Sequence, residues 1–429
     1  MSQIREMNIM LCLDEPGHFG AAVRGVWPLN ALEEAEVARL VIHKWPGEAI
    51  DDNDPVALEA MLERSRTKPP EFTNTSIPGD VAGADVIVLP QTACSAWYGQ
   101  IKFWQSMGKV VVADADDDSF KVHPTSPSYG VRGDEECDLL GKDGKPAVRW
   151  VDKAKYPKDT DWGEMAQQKP QLLGMNLAYN KRAMDRYRQA LKDVDAITTT
   201  TERARKRFLD FNPNVFVLPN SIDTNFYMPG RHPARNGFRI LWYGGNSHES
   251  DLIEAGKALG RFLTENKDCI LVVCGSVCHS LIKSVPPEQL EAWDWTSAEA
   301  HPWRLMSMSA DLGICPVLEN SPFNDCKSPL KWTEMGALGI PAICTNAPPY
   351  SDAVVHAKDG WLVGNTADEW YGALDIFYKD QLLRKRVAKA ARERVEKDFD
   401  LYRNAGLWYS CYKSLMEARA PRLVTAQGA

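Results

Sequence analysis

The chain has 429 residues, 44% hydrophobic and 25% charged, with a formal net charge of −8 at pH 7. This composition is that of a globular protein with material for two or three domains, and it excludes a disordered chain. The negative charge gives no overall attraction to nucleic acid or anionic membranes, although it is compatible with local basic patches.

Cysteine usage and the lack of long apolar segments predict a soluble cytoplasmic protein. The 10 cysteines are scattered along the chain, several of them within apolar runs, which is typical of reduced core residues. No run reaches the roughly 18 apolar residues of a membrane span, and the start resembles a strand more than a signal peptide. Cys269, Cys274 and Cys278 beside His279 lack the paired spacing of zinc ligands, so we predict no metal site.

The first strand is predicted at 8–13, and a glycine-containing loop follows it. A glycine turn between a strand and a helix lets a ligand approach backbone N–H groups. Gly17, Gly20 and the nearby Arg24 are therefore candidates for the acceptor side of a site. His18 fits either a ligand contact or an ordinary loop histidine. The loop lacks a full G-x-G-x-x-G pattern, which argues against a dinucleotide site.

Further strands and helices alternate through the first half, as in a doubly wound sheet. The strand predicted at 109–114 ends in a cluster of four carboxylates that includes Asp116, Asp117 and Asp118. Such a cluster fits acid/base chemistry, hydroxyl binding, a cation, or simply the acidic first turn of a helix. The polar stretch 121–170 is predicted to be a long loop that faces an acceptor substrate. Other predicted strands are 37–43, 85–90, 195–201 and 215–223, and predicted helices are 22–35, 96–107, 171–191 and 202–211.

The second half repeats this alternation. The strand at 239–243 leads into Gly244, Gly245 and Asn246, and the strand at 270–276 contains Gly275 at its end. We predict one domain over 1–229, a second over 235–398, and a terminal helix over 399–420 that packs back toward the first domain. Other predicted strands are 310–316 and 340–345, and the final helices are predicted at 367–378, 382–399 and 403–418.

A helix of about ten residues is predicted after Ser328, which can cap it, and Gly339 with Pro341 can stop it. Lys327, Lys331 and Glu334 are spaced i, i+4 and i+7 and so share one face. Two ammonium groups beside a helix N-terminus can hold a phosphate or a diphosphate. When the helix is considered alone, an ordinary solvated Lys/Glu face is the favoured interpretation, and the rest of the chain has to decide between the two.

Several motifs together resemble the GT-B nucleotide-sugar glycosyltransferases, in particular the retaining family-4 type (glycosyl transferases group 1). They are Thr200-Thr201-Glu202, Leu218-Pro219-Asn220-Ser221-Ile222-Asp223, Trp242-Tyr243-Gly244-Gly245-Asn246 and the stretch from Lys327 to Pro341. The resemblance is specific in the order of these motifs and covers about residues 195–400. It implies an α/β fold of two Rossmann-like domains facing across a cleft, followed by C-terminal helices.

The resemblance also implies site roles. Gly244, Gly245 and Asn246 would border the diphosphate of a UDP- or GDP-sugar, with Gly275 and Ser328 close by, and Glu334 would bind the donor ribose. Lys327 and Lys331 would stabilise the leaving diphosphate, His18 would lie near the sugar, and Asp116 or Asp117 near the acceptor. Many members carry a second glutamate where this chain has Cys326, so Asp325 or a main-chain group would replace it. No cofactor is expected.

Three functions follow. The first is transfer of a sugar, with retention, to a glycan, lipid-linked or small-molecule hydroxyl. The second is transfer to hydroxymethylated pyrimidines in DNA, because compact enzymes with this Asp-rich turn resemble phage-encoded ones and the helices at 181–188 and 202–207 carry basic residues. The third is a non-catalytic sugar-nucleotide-binding protein, suggested by the cysteine at position 326.

Overall fold

The structure is a computed structural model and describes residues 6–13, 22–44, 79–140, 146–169, 172–229 and 237–426. Within these ranges the chain forms two six-stranded parallel sheets and one three-stranded sheet. Helices cover the faces of both parallel sheets, as parallel strands require. The predicted α/β class with two Rossmann-like domains and C-terminal helices is confirmed.

The first sheet has the strand order β2-β1-β3-β4-β8-β9. Its strands are short apolar runs, and Ile87, Val111 and Ile197 in three of them are fully buried. A strand buried on both faces gains from apolar residues at every position, which is why these runs do not alternate with polar residues. The strands are β1 Met7–Leu13, β2 Ala38–Lys44, β3 Val86–Pro90, β4 Val110–Asp114, β8 Ala196–Thr199 and β9 Val215–Val217.

The second sheet has the order β12-β11-β10-β13-β14-β15. Counted along the chain within this domain, that is the doubly wound order 3-2-1-4-5-6, and it reverses direction between β10 and β13. Ligands bind at such a switch point, beyond the carboxyl ends of the strands. The strands are β10 Phe238–Gly244, β11 Cys269–Gly275, β12 Leu290–Trp293, β13 Leu312–Cys315, β14 Ala342–Thr345 and β15 Trp361–Val363.

Helices connect the strands in both domains. The first domain and its insertion contain α1 Trp27–Glu34, preceded by a π-helical turn, then α2 Gly79–Gly83, α3 Gln91–Trp97, α4 Ile101–Ser106, α5 Tyr129–Arg132, α6 Trp162–Gln168, α7 Leu177–Asp193 and α8 Glu202–Phe208. The second domain contains α9 Ile253–Glu265, α10 His279–Ser284, α11 His301–Ser307, α12 Pro322–Asp325, α13 Leu330–Ala337, α14 Tyr350–Ala353, α15 Ala367–Lys379 and α16 Gln381–Asp398, and α17 Leu401–Ala426 ends the described chain.

The prediction of an unstructured loop over 121–170 is wrong. This stretch contributes to a small sheet formed by β5 Cys137–Leu140, β6 Pro146–Asp152 and β7 Leu172–Met175. Trp150 is 5% exposed and packs with Tyr129 and Met175 in a small core of its own. Two of the three strands in this sheet are only four residues long, too short to show the alternation that identifies a strand in a sequence.

The last helix, α17, packs on the first domain. Its Trp408 and Tyr412 are each 1% exposed and lie in the same core as Leu29 and Leu32 of α1. Burying side chains of this size contributes about 1.5–3 kcal/mol each. The domain boundary predicted near 229–235 falls largely in the undescribed residues 230–236 and stays a prediction.

Helix α13 differs from its prediction at its start. It begins at Leu330 and has eight residues, and no side chain caps it. The Ser328 hydroxyl accepts a hydrogen bond from Asn220 of the first domain instead. Its predicted end is confirmed, because Gly339 has φ +70°, a conformation that favours glycine.

Candidate functional site

A cavity of about 250 Å³ lies between the domains at the switch point of the second sheet. The loop after β10 and the segment after β13 form one wall, and α13 forms the floor. Residues of the first domain close the opposite side. The polar and aromatic side chains and the loop glycines that line it include Arg24, Asp116, Asp117, Asn220, Tyr243, Gly244, Gly245, His248, Asp251, Trp295, His301, Lys327, Ser328, Lys331 and Glu334.

Lys327 and Lys331 give the cavity a positive side. The Lys327 ammonium lies 4.7 Å from the centre of the Phe323 ring, and Leu330, the first residue of α13, also lines the cavity. Burial and the nearby charge of Lys327 lower the pKa of Lys331 to about 8. Two cations beside the free N–H groups of a helix start form a ready site for an anion.

His248 and Asp251 support the Lys331 side chain on the side away from the cavity centre. Its Nζ lies 3.0 Å from His248 Nε2, and His248 Nδ1 lies 2.7 Å from Asp251 Oδ2. The other Asp251 oxygen accepts hydrogen bonds from the Leu318 N–H at 2.7 Å and the Asn324 side-chain amide at 3.0 Å. Asp251 therefore joins the loop after β10 to the segment that leads into α13.

Glu334 is 1% exposed although it borders the cavity. Its Oε1 accepts a hydrogen bond from the Tyr227 hydroxyl at 2.6 Å, and its Oε2 accepts one from the Tyr243 hydroxyl at 2.7 Å. His301 Nε2 lies 3.4 Å from Oε1. These donors hold the carboxylate in one place, and each oxygen has further acceptor capacity. The ribose contact stays a prediction.

A chain of polar contacts crosses from the first domain to the start of α13. The Arg24 guanidinium donates to both oxygens of Asp114, at 3.0 and 2.5 Å, and also to Asn220 Oδ1 at 3.2 Å. The Asn220 amide in turn donates to the Ser328 hydroxyl at 2.8 Å. Arg24, predicted on the acceptor side, is thus a buried, ion-paired residue at the cavity edge.

Asp116 and Asp117 form the wall opposite the lysines. Burial, with Asp114 nearby, raises the pKa of Asp116. Burial and the charge of Asp116 raise the pKa of Asp117 to about 7. A carboxyl group that titrates near neutrality is suited to exchange a proton with a bound hydroxyl.

The structure does not bring every predicted residue to the cavity. Asp118 is fully buried, caps the Phe120 N–H and pairs with Arg207 at 2.8 Å, so its carboxylate is used within the first domain. Cys326 is 4% exposed and packs in the core of the first domain, and Asp325 lies on the same outer side as Arg207. Neither Cys326 nor Asp325 lines the cavity, so the expectation that Asp325 replaces the missing glutamate finds no support in the side-chain positions.

The glycines of the second domain lie at the strand ends. Gly244 and Gly245 line the cavity, whereas Gly275 sits beneath the Trp295 ring. Gly275 has φ +98°, and a Cβ there would come within 2.5 Å of Trp295. Asn246 lies in a short 3-10 turn after β10. His18, Gly17 and Gly20 are outside the described residues.

Sequence reasoning missed several cavity residues. His248 and Asp251 follow the Gly244-Gly245 loop at i, i+3 spacing, a signal that was present in the sequence. Trp295 and His301 come after β12, and nothing local marked them as site residues. Tyr243 belongs to the motif before Gly244, but its place in an apolar strand gave no sign of a contact with Glu334. Their roles depend on the folded arrangement of α13 and the strand ends.

Three other kinds of feature bear on function: metal-ligand clusters, membrane-spanning helices and the basic helix α8. Among the described residues no group of three or more His, Cys, Asp or Glu side chains is arranged to hold a metal ion. No helix in the described part of the chain is long and apolar enough to cross a membrane. In the basic helix α8, Arg203 pairs with Asp352 and Arg207 with Asp118, so much of its charge is compensated.

Two Rossmann-like domains with a polar cavity at their facing edge are the GT-B arrangement, and the comparisons agree with this fold. Residues 236–394 match the family model of glycosyl transferases group 1. The chain is therefore a glycosyltransferase with a group 1 second domain. A search of curated protein sequences gave no match.

Solved structures with the same fold include three that align over almost the whole chain. Sucrose-phosphate synthase of Thermosynechococcus elongatus has a TM-score of 0.61 at 12% identity, covering 96% of this chain and 100% of its own. A glycosyltransferase of Rickettsia africae ESF-5 has a TM-score of 0.58 at 12% identity, covering 96% and 99%. HepE (Alr3699) of Anabaena, in complex with UDP and glucose, has a TM-score of 0.56 at 11% identity, covering 95% and 100%.

Proposed function

We propose that this enzyme transfers a sugar from a UDP- or GDP-sugar to an acceptor hydroxyl with retention of anomeric configuration. The observation that carries the proposal is the convergence of Lys327, Lys331 and the start of α13 with Gly244 and Gly245 in one interdomain cavity. The similarly folded HepE was crystallised with UDP and glucose, which supports a nucleotide-sugar donor. Retention rests on the family resemblance.

The donor diphosphate is assigned to the lysine side of the cavity. As the bond between sugar and phosphate breaks, negative charge grows on the departing diphosphate and the sugar gains oxocarbenium character. Lys327, Lys331 and the first N–H groups of α13 are fixed where they would oppose that charge. Donors that are already in place stabilise a transition state without further reorganisation.

The acceptor hydroxyl is assigned to the Asp116 and Asp117 side. These carboxylates belong to the first domain and face the lysines across the cavity. Asp117 titrates near pH 7, so it can accept a hydrogen bond or a proton from a hydroxyl under neutral conditions. We assign orientation of the acceptor to Asp116 and proton acceptance to Asp117.

A donor panel with release of free nucleoside diphosphate as the readout tests the proposal. UDP- and GDP-sugars are assayed against glycan, lipid-linked and small-molecule acceptors and against hydroxymethylated DNA, and proton NMR of the product gives its anomeric configuration. Lys331→Ala should lower turnover by about 100-fold or more, because a charged contact to the leaving group is lost. The exposed Lys385→Ala on α16 is the matched control. Unchanged turnover in Lys331→Ala would refute the assignment.

The panel also separates the other predicted functions. Transfer confined to hydroxymethylated DNA, with strong salt dependence, would identify a DNA-modifying enzyme. Donor binding without transfer to any acceptor would identify a binding protein. We propose that no metal is needed, since the two lysines supply the positive charge, and turnover in EDTA tests this. We also propose a cytoplasmic location, on the basis of 10 cysteines of which none forms a disulfide.

A further inference from the structure

His248 and Asp251 have no part in the function proposed above, yet both lie directly behind Lys331. Asp251 is 3% exposed and lies 2.7 Å from His248, which lies 3.0 Å from the Lys331 ammonium. The three side chains form an unbroken line from the interior of the second domain to the cavity.

The proton positions in this line follow from chemistry. An ionised carboxylate only accepts hydrogen bonds, so His248 Nδ1 must carry the proton that is shared with Asp251. Burial and the charges of Lys331 and Lys327 lower the pKa of His248 to about 3, so the ring is neutral near pH 7. Its Nε2 is then a bare acceptor, and it takes one of the three Lys331 protons.

Although burial opposes ionisation of Asp251, the hydrogen bond from His248 and the charge of Lys327 hold its pKa at about 2. The carboxylate is thus charged throughout the pH range of catalysis. Its second oxygen is fixed by Leu318 and Asn324, in the segment before α13. The line is therefore anchored to both segments that form this wall of the cavity, the loop after β10 and the segment after β13.

We infer that Asp251 and His248 are positioning residues that aim the Lys331 ammonium at the donor diphosphate and help to keep it protonated. One Lys331 proton is used by His248, which leaves two for the ligand. Outer partners that orient a functional group are what make a site precise. The inference rests on the proposed function only in naming the diphosphate as the ligand.

Lys331 has neighbours of both signs, which together set its protonation. The groups around Lys331 lie on α13 itself, on the segment before it, on the strands and loops of the second domain, and across the cavity. The titratable groups that act on Lys331 or are acted on by it are Lys327, His248, Asp251, Cys315, Glu334, Cys278 and Asp117.

Asp251→Asn is the sharpest test because it changes hydrogen-bond direction without changing size. The new side chain is isosteric with the carboxylate, and its oxygen can still accept from Leu318 and Asn324. Its amide would present N–H to His248 Nδ1, so the ring proton moves to Nε2 and opposes the Lys331 ammonium. In Asp251→Asn, Lys331 loses both its acceptor and the nearby negative charge.

We expect Asp251→Asn to lower kcat/KM for the donor by roughly 10- to 100-fold, the range for a hydrogen bond to a charged group. The alkaline limb of the pH profile should move to lower pH, which a merely structural defect would not cause. In a Lys331→Ala background the same change should add less than about twofold, since the residue it acts through is gone. Additive losses with an unmoved limb would overturn the inference.

A measurement without donor separates this inference from the proposed function. Lysines labelled with ¹³C at Cε are titrated by NMR, and the Lys331 signal is assigned by its absence in Lys331→Ala. The titration midpoint of Lys331 should fall in Asp251→Asn. It should change less in His248→Gln, whose carbonyl can accept a hydrogen bond from Lys331, than in His248→Ala. If the Lys331 midpoint falls in Asp251→Asn but the protein turns over no donor, the inference is supported and the proposed function is refuted. An unchanged midpoint in folded Asp251→Asn and His248→Ala refutes the inference.

Discussion

Removing one phenol hydroxyl beside Glu334 should destabilise the second domain markedly. Tyr227→Phe deletes only the oxygen that donates to Glu334 at 2.6 Å and leaves the ring, which is 1% exposed, in its packed position. The carboxylate is itself 1% exposed, so water cannot easily replace the lost donor. Glu334 keeps the Tyr243 hydrogen bond and the more distant His301 nitrogen.

The size of the effect follows from the charge and burial of the acceptor. A hydrogen bond to a charged group contributes about 1.5–3 kcal/mol, and a buried charge that loses a donor keeps its full desolvation cost. For a domain of this size, about 1 kcal/mol corresponds to roughly 2–4 °C in Tm. We therefore expect Tyr227→Phe to lower Tm by roughly 3–12 °C.

Far-UV circular dichroism during thermal unfolding measures this, and the chain supplies a matched control. The Tyr378 hydroxyl also donates to a carboxylate, Asp268, at 2.9 and 3.1 Å, but at an exposed position. Tyr378→Phe should change stability by no more than about 0.5 kcal/mol, as for other exposed polar contacts. Equal shifts in Tyr227→Phe and Tyr378→Phe would show that burial of Glu334 does not set the energy.

Two further predictions concern pH and a buried charge. The kcat/KM for the donor should rise as Asp117 ionises through about pH 7 and fall as Lys331 loses its proton through about pH 8. In measured pH–rate profiles, Asp117→Asn should remove the acid limb and Lys331→Arg should remove the alkaline limb. Arg207→Ala should cost about 2–4 kcal/mol in unfolding free energy, because it leaves the fully buried Asp118 without its cation, and adding Asp118→Asn should recover part of that loss. Additive rather than compensating losses in the Arg207→Ala, Asp118→Asn double variant would contradict that account.

The parts of the fold that were predictable are those in which local pattern and buried environment agree. The strand at 109–114 is a run of valines because β4 is covered on both faces, and the apolar run shows this directly. The strands of the insertion show no such run, since β5–β7 form a small sheet with a core of only a few residues. Periodicity alone was therefore insufficient there.

In the candidate site, too, the features that follow from local sequence were predictable and those that depend on distant contacts were not. Lys331 and Glu334 reach the cavity from α13, where they lie at i and i+3, a local property of the sequence. Lys327 reaches the same cavity from the segment before the helix, which begins only at Leu330, so the predicted shared helix face does not account for its position. Ser328 does not cap α13, since a residue 108 positions away, Asn220, competes for its hydroxyl. A contact of that separation leaves no trace in local spacing.

Cys326 shows how the two domains share control of the cavity. Its side chain is inserted into the core of the first domain, and its carbonyl accepts hydrogen bonds from the Thr200 and Thr201 hydroxyls at 3.5 and 3.3 Å. Lys327 is the next residue, so the first domain holds one side of the proposed diphosphate site in place although α13 belongs to the second domain. Asn220 acts in the same way on Ser328. A movement of the domains apart would therefore displace Lys327 and Ser328 while leaving Lys331 on its Asp251–His248 support. A cysteine suits this segment because it is small and apolar enough to be buried in the core of the first domain.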